Sequence, residues 1–340
     1  MNIQSYSNAS DQLDHISQLE DGDYLDIDSL SVIYKGCADP FRMEILQLLN
    51  RSSYSVSELC DILKSPQPAM SHHLKKLASA GLVTSKRHGN NIFYRRPLVA
   101  KDHWKSNVFE TIFKSVDQCS PATDKQKAVA AVYERRAETA KDYFKKNHRN
   151  FSTVQEKIAV YSEYASALTS IIEQTSPPLE SRVAEVGPAD SNFLHYLSKR
   201  FKHVTAIDQS VEMLELSKKS LKENPLQIEW IEQDFHELAN VKRTKKFDFI
   251  FMNMVLHHMP DPGLAFKSAS SLLSERGSLV ISDLKSHEQT WVKSSCGDLW
   301  QGFEPEELDS WASKYNFTNA ESQYIGLKNG FEVQIKSYVK

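Results

Sequence analysis

Hydrophobic positions follow two different patterns in the two parts of the chain. Between Ile27 and Gln118, apolar residues recur every three or four positions, which predicts short amphipathic helices. From Ser181 onward, short apolar runs alternate with helical stretches, which predicts strands separated by helices. At 340 residues, the chain is therefore predicted to fold as two dissimilar domains.

The first part is predicted to contain several short helices and a hairpin. Asp39 and Pro40 are residue types that begin a helix, as N-cap and first helical residue, and Gly81 is a type that ends one. Two short strands are then joined by a tip of His88 to Asn91, whose Gly and Asn residues accept the positive φ of a tight turn. Helices are expected near residues 27–37, 40–50, 56–63 and 68–81, and the hairpin at 82–96.

Positive charge is concentrated in the last helix and hairpin of this part. Between Asp61 and Asp102 there is no carboxylate, but there are eight Lys or Arg and three His residues. The whole chain has a net charge of only -3, so this excess is local. Clustered cations without anions suit a phosphate backbone, and two helices joined by a short break form a helix-turn-helix. We therefore expect nucleic-acid binding, with hairpin arginines at 87, 95 and 96 reaching phosphates.

The segments 56–59, 67–77 and 80–83 resemble the winged helix of ArsR/SmtB-type bacterial repressors. The resemblance spans about residues 30–115 and implies a homodimer that binds double-stranded DNA. Part of the apolar stripe of residues 101–118 is then expected to form a dimer seam. The residues expected to contact DNA are Gln67, Ser71, His72, His73, Lys75, Lys76, Arg87, Asn90 and Arg95.

No metal site is expected in this chain, neither a structural zinc site nor a metal-sensing site in the first domain. Relatives that sense thiophilic metals carry cysteines in the helix before the recognition helix, where this chain has Ser55 and Ser57. Hydroxyls are poor ligands for soft metals, and Cys60 alone cannot build a tetrahedral site. The four cysteines form no paired motif, which favours a reducing, cytoplasmic compartment. No apolar run approaches the roughly 20 residues that span a bilayer, so no membrane association is expected.

Two segments flank the predicted DNA-binding domain of residues 27–118. Residues 1–26 are an acidic leader without Lys or Arg, expected to be solvated and partly disordered; an arm that competes with DNA is the alternative. Residues 119–150 are expected to connect the domains through a long charged helix at 124–148. Its charges are expected to be solvated, which would make it a semi-rigid strut.

The remaining domain, residues 151–340, is predicted to hold a parallel sheet covered by helices on both faces. Ligands of such sheets bind outside the carboxyl ends of the strands. Four successive strand ends are polar where a nucleoside would lie: Glu185 with Gly187, Asp208, Asp234 and Asn253. The strands are predicted at 182–187, 203–208, 228–233, 247–255 and 277–284, with helices at 192–201, 211–222 and 262–275.

The segments 185–187, 206–214, 233–235 and 247–262 resemble class I S-adenosylmethionine-dependent methyltransferases, over about residues 150–340. The fold class is thus an α+β winged helix-turn-helix followed by an α/β Rossmann-like class I methyltransferase domain. The resemblance implies a seven-stranded sheet that ends in a hairpin near 316–324 and 331–338. It places an adenosyl ligand, S-adenosylmethionine or S-adenosylhomocysteine, on Glu185, Gly187, Asp208, Gln209, Asp234, Phe235 and Asn253.

One departure from that family lies in the glycine loop. The family pattern acid-x-Gly-x-Gly-x-Gly is here Glu185-Val-Gly187-Pro-Ala189-Asp-Ser191. A Cβ is uncomfortable at positive φ, so Ala189 and Ser191 are expected to weaken catalytic alignment of the ligand. Asp190 adds a negative charge that would attract a sulfonium. The altered loop favours ligand sensing over turnover.

Catalytic residues are not assigned from the sequence. Methyl transfer needs mainly proximity, and a base helps only if the acceptor must lose a proton. His257, His258 and Asp261 are candidates for such a base, with structural or ligand-lining roles as the alternative. Cys296 is a candidate nucleophile or metalloid ligand, with inert packing as the alternative.

Two functions follow from this combination of domains. The first is a DNA-binding transcriptional regulator, expected to be a repressor, whose second domain binds an adenosyl effector. The composite resembles ArsR-type regulators that respond to S-adenosylhomocysteine, which makes that ligand the preferred one. The alternative is an S-adenosylmethionine-dependent methyltransferase of a small molecule with an attached DNA-binding domain. A DNA methyltransferase is not expected, because residues 253–256 lack the Asp/Asn-Pro-Pro-Tyr/Phe element.

Overall fold

A computed structural model of the chain describes residues 26–50, 52–88, 91–99, 103–147, 151–189, 192–221, 228–241, 245–289 and 291–340. These residues form two compact units. One contains residues 26–85 and 94–122, and the other contains residues 86–93 and 123–340. The predicted acidic leader lies outside the described residues except for Asp26, which caps the first helix. The predicted domain bounds at 118/119 and 150/151 stay predictions.

The first unit contains the helices that the sequence pattern predicted. Its described helices are α1 (Ile27–Cys37), α2 (Pro40–Leu48), α3 (Val56–Leu63), α4 (Gln67–Ser79) and α5 (Trp104–Gln118). A short strand and a hairpin form a three-stranded sheet in the order β1-β3-β2. The strands are β1 (Tyr54–Ser55), β2 (Thr84–His88) and β3 (Asn91–Arg95). The winged helix-turn-helix fold is confirmed.

Side-chain caps explain where these helices begin. The Asp39 carboxylate accepts a hydrogen bond from the backbone N–H of Arg42 at 3.0 Å. Ser55 and Glu58 form a capping box at the start of α3, with the Ser55 N–H donating to the Glu58 carboxylate at 2.7 Å. Arg42 is buried, and its Nε donates to the Gly36 carbonyl at 2.6 Å, which satisfies the last turn of α1.

The second unit is organised around a seven-stranded sheet in the order β6-β5-β4-β7-β8-β10-β9. The first five strands in this order are parallel, and β10 is antiparallel to both β8 and β9. The sheet and its terminal hairpin are therefore confirmed. The strands are β4 (Arg182–Val186), β5 (His203–Asp208), β6 (Ile228–Glu232), β7 (Phe247–Asn253), β8 (Leu273–Leu284), β9 (Thr318–Gly326) and β10 (Glu332–Val339).

Helices cover both faces of this sheet, because the strands are apolar on both sides. One face packs against the apolar side chains of α11, α12 and α14, and the other against those of α8 and α9. Among these, α8, α11 and α14 are helices that the sequence pattern did not predict. The described helices are α6 (Thr123–Asn147), α7 (Phe151–Gln155), α8 (Tyr161–Thr175), α9 (Asn192–Arg200), α10 (Val211–Ser220), α11 (Phe235–Asn240), α12 (Pro262–Leu272), α13 (Trp291–Cys296) and α14 (Pro305–Lys314).

Helix α6 differs from the solvated strut that its charged sequence suggested. Val132, Arg136 and Ala140 are buried along one side of the helix. The Arg136 guanidinium donates to the Pro260 carbonyl at 3.1 Å and lies 4.9 Å from the ring centroid of Trp300. The expectation that its charges are solvated is therefore wrong for Arg136, because one side of α6 packs within the second unit. No helix of the described ranges has the length and apolarity needed to cross a membrane.

Candidate functional site

The outward face of α4 carries a cluster of polar and basic side chains. Met70, Leu74 and Leu77 are buried at helical spacing, so the opposite side of α4 faces solvent. This places five of the predicted DNA-contacting residues on one accessible side of the helix. The exposed residues are Gln67, Ser71, His72, Lys75 and Lys76.

His73 does not share that exposed position. Its side chain is only 23% exposed, and its Nδ1 lies 3.9 Å from the Asp39 carboxylate. The ring centroids of His73 and Phe41 are 4.8 Å apart. A ring packed against α2 cannot also reach into a groove, so the structure argues against His73 as a DNA contact.

The hairpin places its predicted DNA contacts differently from one another. Arg87 is exposed on β2, and Arg95 is half-buried on β3. Asn90, the predicted contact at the tip, lies outside the described residues. The exposed guanidinium of Arg87 is therefore the accessible cation that the structure describes for this hairpin.

Arg96 has a structural role instead of the predicted phosphate contact. Its guanidinium pairs with both oxygens of Asp117, at 2.6 and 2.9 Å. Its Nε and Nη2 also donate to the Leu46 carbonyl at 3.0 and 2.7 Å, and the group lies 4.4 Å from the ring centroid of Phe113. The expectation that Arg96 reaches a phosphate is wrong, because its donors tie α2 to α5.

The second unit contains a cavity of about 360 Å³ at the carboxyl ends of its central parallel strands. Six of the seven residues predicted to bind the ligand line it, and Glu185 does not. The strand ends supply a glycine, an amide and two carboxylates, while α8 adds two tyrosines that the sequence pattern did not suggest. The lining residues used below are Gly187, Asp208, Gln209, Asp234, Phe235, Asn253, Tyr161, Tyr164 and His258.

The loop after β4 has the backbone of a glycine loop despite its substitution. Gly187 has a φ of +66°, and a Cβ there would lie 2.4 Å from the Val255 side chain. Ala189 has a φ of +44°, although an alanine in this region costs about 1–2 kcal/mol. The unfavourable combination of a Cβ with a positive φ that the sequence predicted at Ala189 is therefore present, and the loop retains the turn despite it. Asp190 and Ser191 lie outside the described residues.

Asp208 presents a carboxylate at the end of β5, on the cavity wall. Burial raises its pKa to about 6, and the backbone N–H groups of Ser210 and Gln209 counteract that rise. One carboxylate oxygen accepts the Ser210 N–H at 2.8 Å. A carboxylate held in such surroundings gains from further donors, and a pair of neighbouring hydroxyls would supply them.

Asp234 and Phe235 begin the short helix α11. The Asp234 carboxylate caps this helix, and its Oδ1 accepts the N–H groups of His236 at 2.8 Å and Glu237 at 3.0 Å. Phe235 is buried and forms part of the cavity wall. Asp234 therefore holds the loop in shape through one oxygen, and its Oδ2 is the oxygen left to approach a ligand.

Glu185 faces the α8 side of the sheet and is fully buried. Burial, and then the negative charge of Glu185, raise the pKa of Tyr161.

The Tyr164 hydroxyl donates to the Asn253 side-chain oxygen at 3.2 Å, and Ser282 donates to the same oxygen at 2.6 Å. These contacts fix the Asn253 amide so that its nitrogen is the group available to the cavity. The α8 tyrosines could have been found from the apolar spacing of residues 164, 168, 171 and 172.

A buried group of histidines and carboxylates lies beside this cavity. His257 Nδ1 is 2.7 Å from the Asp283 carboxylate, which also accepts the N–H groups of Leu256 and Leu284. Burial alone would lower the pKa of His257, but Asp283 and Asp298 raise it to about 9. Burial has the opposite effect on a carboxyl group and raises the pKa of Asp298 to about 7. His257 is thus held by Asp283 through Nδ1, while its Nε2 lies 3.9 Å from Asp298.

The other candidates for chemistry are placed less favourably. Asp261 caps α12 by accepting the Leu264 N–H at 3.2 Å. Cys296 is buried, and burial followed by the charge of Asp298 raises the pKa of its thiol to about 12. Because the thiolate is the nucleophilic form, burial disfavours a nucleophilic role for Cys296.

Relatives match the two parts of the chain separately. A "Methyltransferase domain" family matches residues 132–322, and "Bacterial regulatory protein, arsR family" matches residues 39–85. The chain is 41% identical over 69 residues to the "HTH-type transcriptional repressor SmtB" of Mycobacterium tuberculosis. This match covers 20% of the chain and 51% of the repressor, so the chain spans about half the length of that relative.

The second part has relatives among methyltransferases. The chain is 25% identical over 178 residues to the "Ubiquinone biosynthesis O-methyltransferase" of Coxiella burnetii, which covers 48% of the chain and 75% of that protein. Among solved structures, magnesium protoporphyrin IX methyltransferase from Synechocystis matches with a TM-score of 0.49 and 16% identity, covering 60% of the chain and 99% of that structure. From the family matches, the chain belongs to the methyltransferase-domain family, and its residues 39–85 are a helix-turn-helix region of the bacterial arsR regulatory family.

Proposed function

We propose that this protein is a homodimeric transcriptional regulator whose methyltransferase unit binds S-adenosylhomocysteine or S-adenosylmethionine as an effector. We expect the protein to repress transcription when no ligand is bound. The observation that carries the proposal is the cavity at the strand ends, with Asp208 and Gly187 in its wall, in a chain that also has an arsR-type region.

DNA binding is supported by the accessible face of α4. Lys75 and Lys76 are exposed there beside Gln67, Ser71 and His72. A recognition helix uses such residues to contact base edges and phosphates, and the wing adds cations beside the groove. The DNA-contacting set that we propose is therefore the predicted one without His73.

Adenosyl binding is supported by the order of polar groups around the cavity. In the proposed mode, the two ribose hydroxyls donate to the Asp208 carboxylate, and Asp234 with Phe235 surrounds the adenine. The amino-acid part of the ligand lies against Gly187 and Asn253. Glu185 is not part of the proposed contact set, because it does not line the cavity.

An effector role is favoured over turnover by the loop after β4. Ala189 holds a left-handed conformation that the glycine of the family pattern would adopt without strain. A sensor needs only a difference in ligand affinity between the DNA-binding and released states, whereas turnover also needs aligned donor and acceptor. Strain at this loop is tolerable for the first role and harmful for the second.

One experiment separates the effector from the enzyme. The purified full-length protein is titrated onto a duplex from the region upstream of its own coding sequence, with and without each adenosyl ligand. In parallel, the protein is kept with S-adenosylmethionine for hours and S-adenosylhomocysteine is quantified. A ligand-dependent change in DNA affinity without product supports the proposal, and DNA affinity that neither ligand changes refutes it.

Two variants locate the two activities. Asp208→Ala should abolish the ligand response and leave the DNA affinity of the ligand-free protein unchanged. Lys75→Ala with Lys76→Ala should weaken DNA binding and leave ligand affinity unchanged. Glu215→Ala and Lys202→Ala are matched controls, because both side chains are exposed on the second unit outside the cavity.

A small-molecule methyltransferase is the second candidate. It is favoured by the similarity to the ubiquinone biosynthesis O-methyltransferase, of which the chain covers 75%. His258 on the cavity wall would then face the acceptor. Steady formation of S-adenosylhomocysteine with an added phenolic acceptor, at a rate that Asp208→Ala removes, would support this candidate over the effector.

A further inference from the structure

We propose that His257, His258 and Asp298 bind one divalent metal ion of the zinc class beside the cavity. One donor atom from each residue lies within 4.8 Å of the other two, and all three residues are buried. The site is distinct from the cysteine-based metal sensing considered for the first unit, since its donors are two imidazoles and a carboxylate. It does not depend on whether the second unit is a sensor or an enzyme.

The distances between donor atoms suit a small ion. Asp298 Oδ1 lies 3.9 Å from His257 Nε2 and 3.8 Å from His258 Nδ1. His258 Nδ1 also lies 3.4 Å from the Gly297 carbonyl, a weak hydrogen bond that metal binding through Nδ1 would replace. Ligand atoms of a tetrahedral zinc site, at about 2.0–2.2 Å from the ion, are about 3.3–3.6 Å from one another. The two measured edges therefore need to contract by only a few tenths of an ångström on binding, and the third edge, between the two imidazoles, is within 4.8 Å and has to contract further.

Asp298 is the strongest single indication of a missing partner. Its side chain is fully buried, and neither carboxylate oxygen has a hydrogen-bond partner among the described residues. His257 Nε2 is likewise buried without a hydrogen-bond partner in the described part of the chain. Buried polar atoms of folded proteins are nearly always satisfied, so such a concentration at one point indicates a ligand.

Asp283 orients one of the proposed ligands. Its carboxylate oxygen lies 2.7 Å from His257 Nδ1, which directs Nε2 of the same ring toward Asp298. Backbone N–H groups of Leu256 and Leu284 fix the Asp283 carboxylate in turn. Histidines that bind metals commonly have their second nitrogen held by a carboxylate in this way. Asp283 is therefore a positioning residue of the site.

The chemistry of the donors selects the class of ion. Two imidazoles and one carboxylate suit zinc or a similar first-row divalent ion better than magnesium or calcium, which prefer oxygen ligands. Three protein ligands leave a fourth position for water or another molecule. Since His258 also lines the cavity, the proposed site is next to the cavity wall.

Metal binding is tested on the full-length protein. The chain is stripped with a chelator, exposed to a small excess of Zn(II), desalted and analysed by elemental mass spectrometry. One zinc per chain is expected. Co(II) substitution should give the visible spectrum of a tetrahedral nitrogen and oxygen site without a thiolate-to-metal band, a measurement that needs no variant.

Variants distinguish this site from adventitious binding. Asp298→Asn and His257→Gln should each weaken Zn(II) binding by at least 10-fold, and Asp283→Asn by about 10–100-fold. His203→Gln, which changes a half-exposed histidine outside the cluster, should retain full affinity. Far-ultraviolet circular dichroism checks that each variant is folded. A thiolate band with Co(II), less than 0.1 zinc per chain, or affinity that Asp298→Asn leaves unchanged would overturn the proposal.

Discussion

Gly187→Ala should destabilise the second unit through two effects that can be measured separately. The backbone at Gly187 has a φ of +66°, and an alanine there costs about 1–2 kcal/mol. The added Cβ would also lie 2.4 Å from Val255 Cγ2, whereas carbon atoms normally approach to about 3.5–4.0 Å. Overpacking of this kind costs about 1–3 kcal/mol, so the free energy of unfolding should fall by about 2–5 kcal/mol in total.

Gly330→Ala isolates the backbone effect. Gly330 has a φ of +86°, but a Cβ there would meet no atom within 4 Å. Its substitution should therefore cost only about 1–2 kcal/mol. The difference in unfolding free energy between the two alanine variants measures the clash with Val255. Val255→Ala removes the 2.4 Å contact with Cγ2 but keeps a Cβ at 3.1 Å, so Gly187→Ala should cost less, though not as little as Gly330→Ala, in that background.

Urea unfolding of the full chain, followed by tryptophan fluorescence, measures these differences. Four of the five tryptophans lie between residues 230 and 311, so the signal reports mainly on the second unit. If Gly187→Ala is no more destabilising than Gly330→Ala, or if Val255→Ala does not relieve it, the close approach described for this loop is incorrect.

Three further predictions concern the two proposed activities and the support of α5. In the double variant Lys75→Ala/Lys76→Ala, the slope of log K for DNA binding against the logarithm of the salt concentration should become shallower by about 1.8 per protomer, because each phosphate contact contributes about 0.9. An unchanged slope would mean that neither side chain contacts a phosphate. The affinity for the adenosyl ligand should be constant above about pH 6 and fall by up to about 10-fold per pH unit below it, because protonation of Asp208 removes the acceptor for the ribose hydroxyls. Calorimetry from pH 5 to 8 tests this. Asp208→Asn should make the affinity independent of pH in this range. Arg96→Met should lower the free energy of unfolding by about 1–3 kcal/mol, because the partly buried Leu46 carbonyl loses its two donors. The ion pair with the exposed Asp117 contributes at most about 1 kcal/mol, so Asp117→Asn should cost much less, and equal losses in the two variants would contradict this reasoning.

The periodic parts of the fold could be predicted from sequence because burial alone sets their pattern. Met70, Leu74 and Leu77 fix which face of α4 is exposed, and the apolar strands of the second unit fix its sheet. Strand ends predicted the cavity wall for the same reason, since parallel strands bring their carboxyl ends to one edge. Six of the seven predicted ligand-binding residues accordingly line the cavity.

The predictions from the sequence that were wrong concern charged or polar side chains whose partners are distant in sequence. The sequence predicts a phosphate contact for Arg96, but Asp117 and the Leu46 carbonyl accept the hydrogen bonds of its guanidinium. Arg136 looked solvated because its partner, the Pro260 carbonyl, lies 124 positions away. Spacing along the chain contains no information about such pairs, so only the folded structure reveals them.

The interior position of β10 governs the order in which the polypeptide can mature during translation. Residues 332–339 insert between β8 and β9, so β9 has no neighbour and β8 keeps an open edge until this late segment has left the ribosome. Residues 26–122 emerge much earlier and contain the helices of the first unit. A product that ends before residue 332 would consequently lack the strand that covers β8, and an uncovered strand edge of this kind invites pairing with other chains and aggregation.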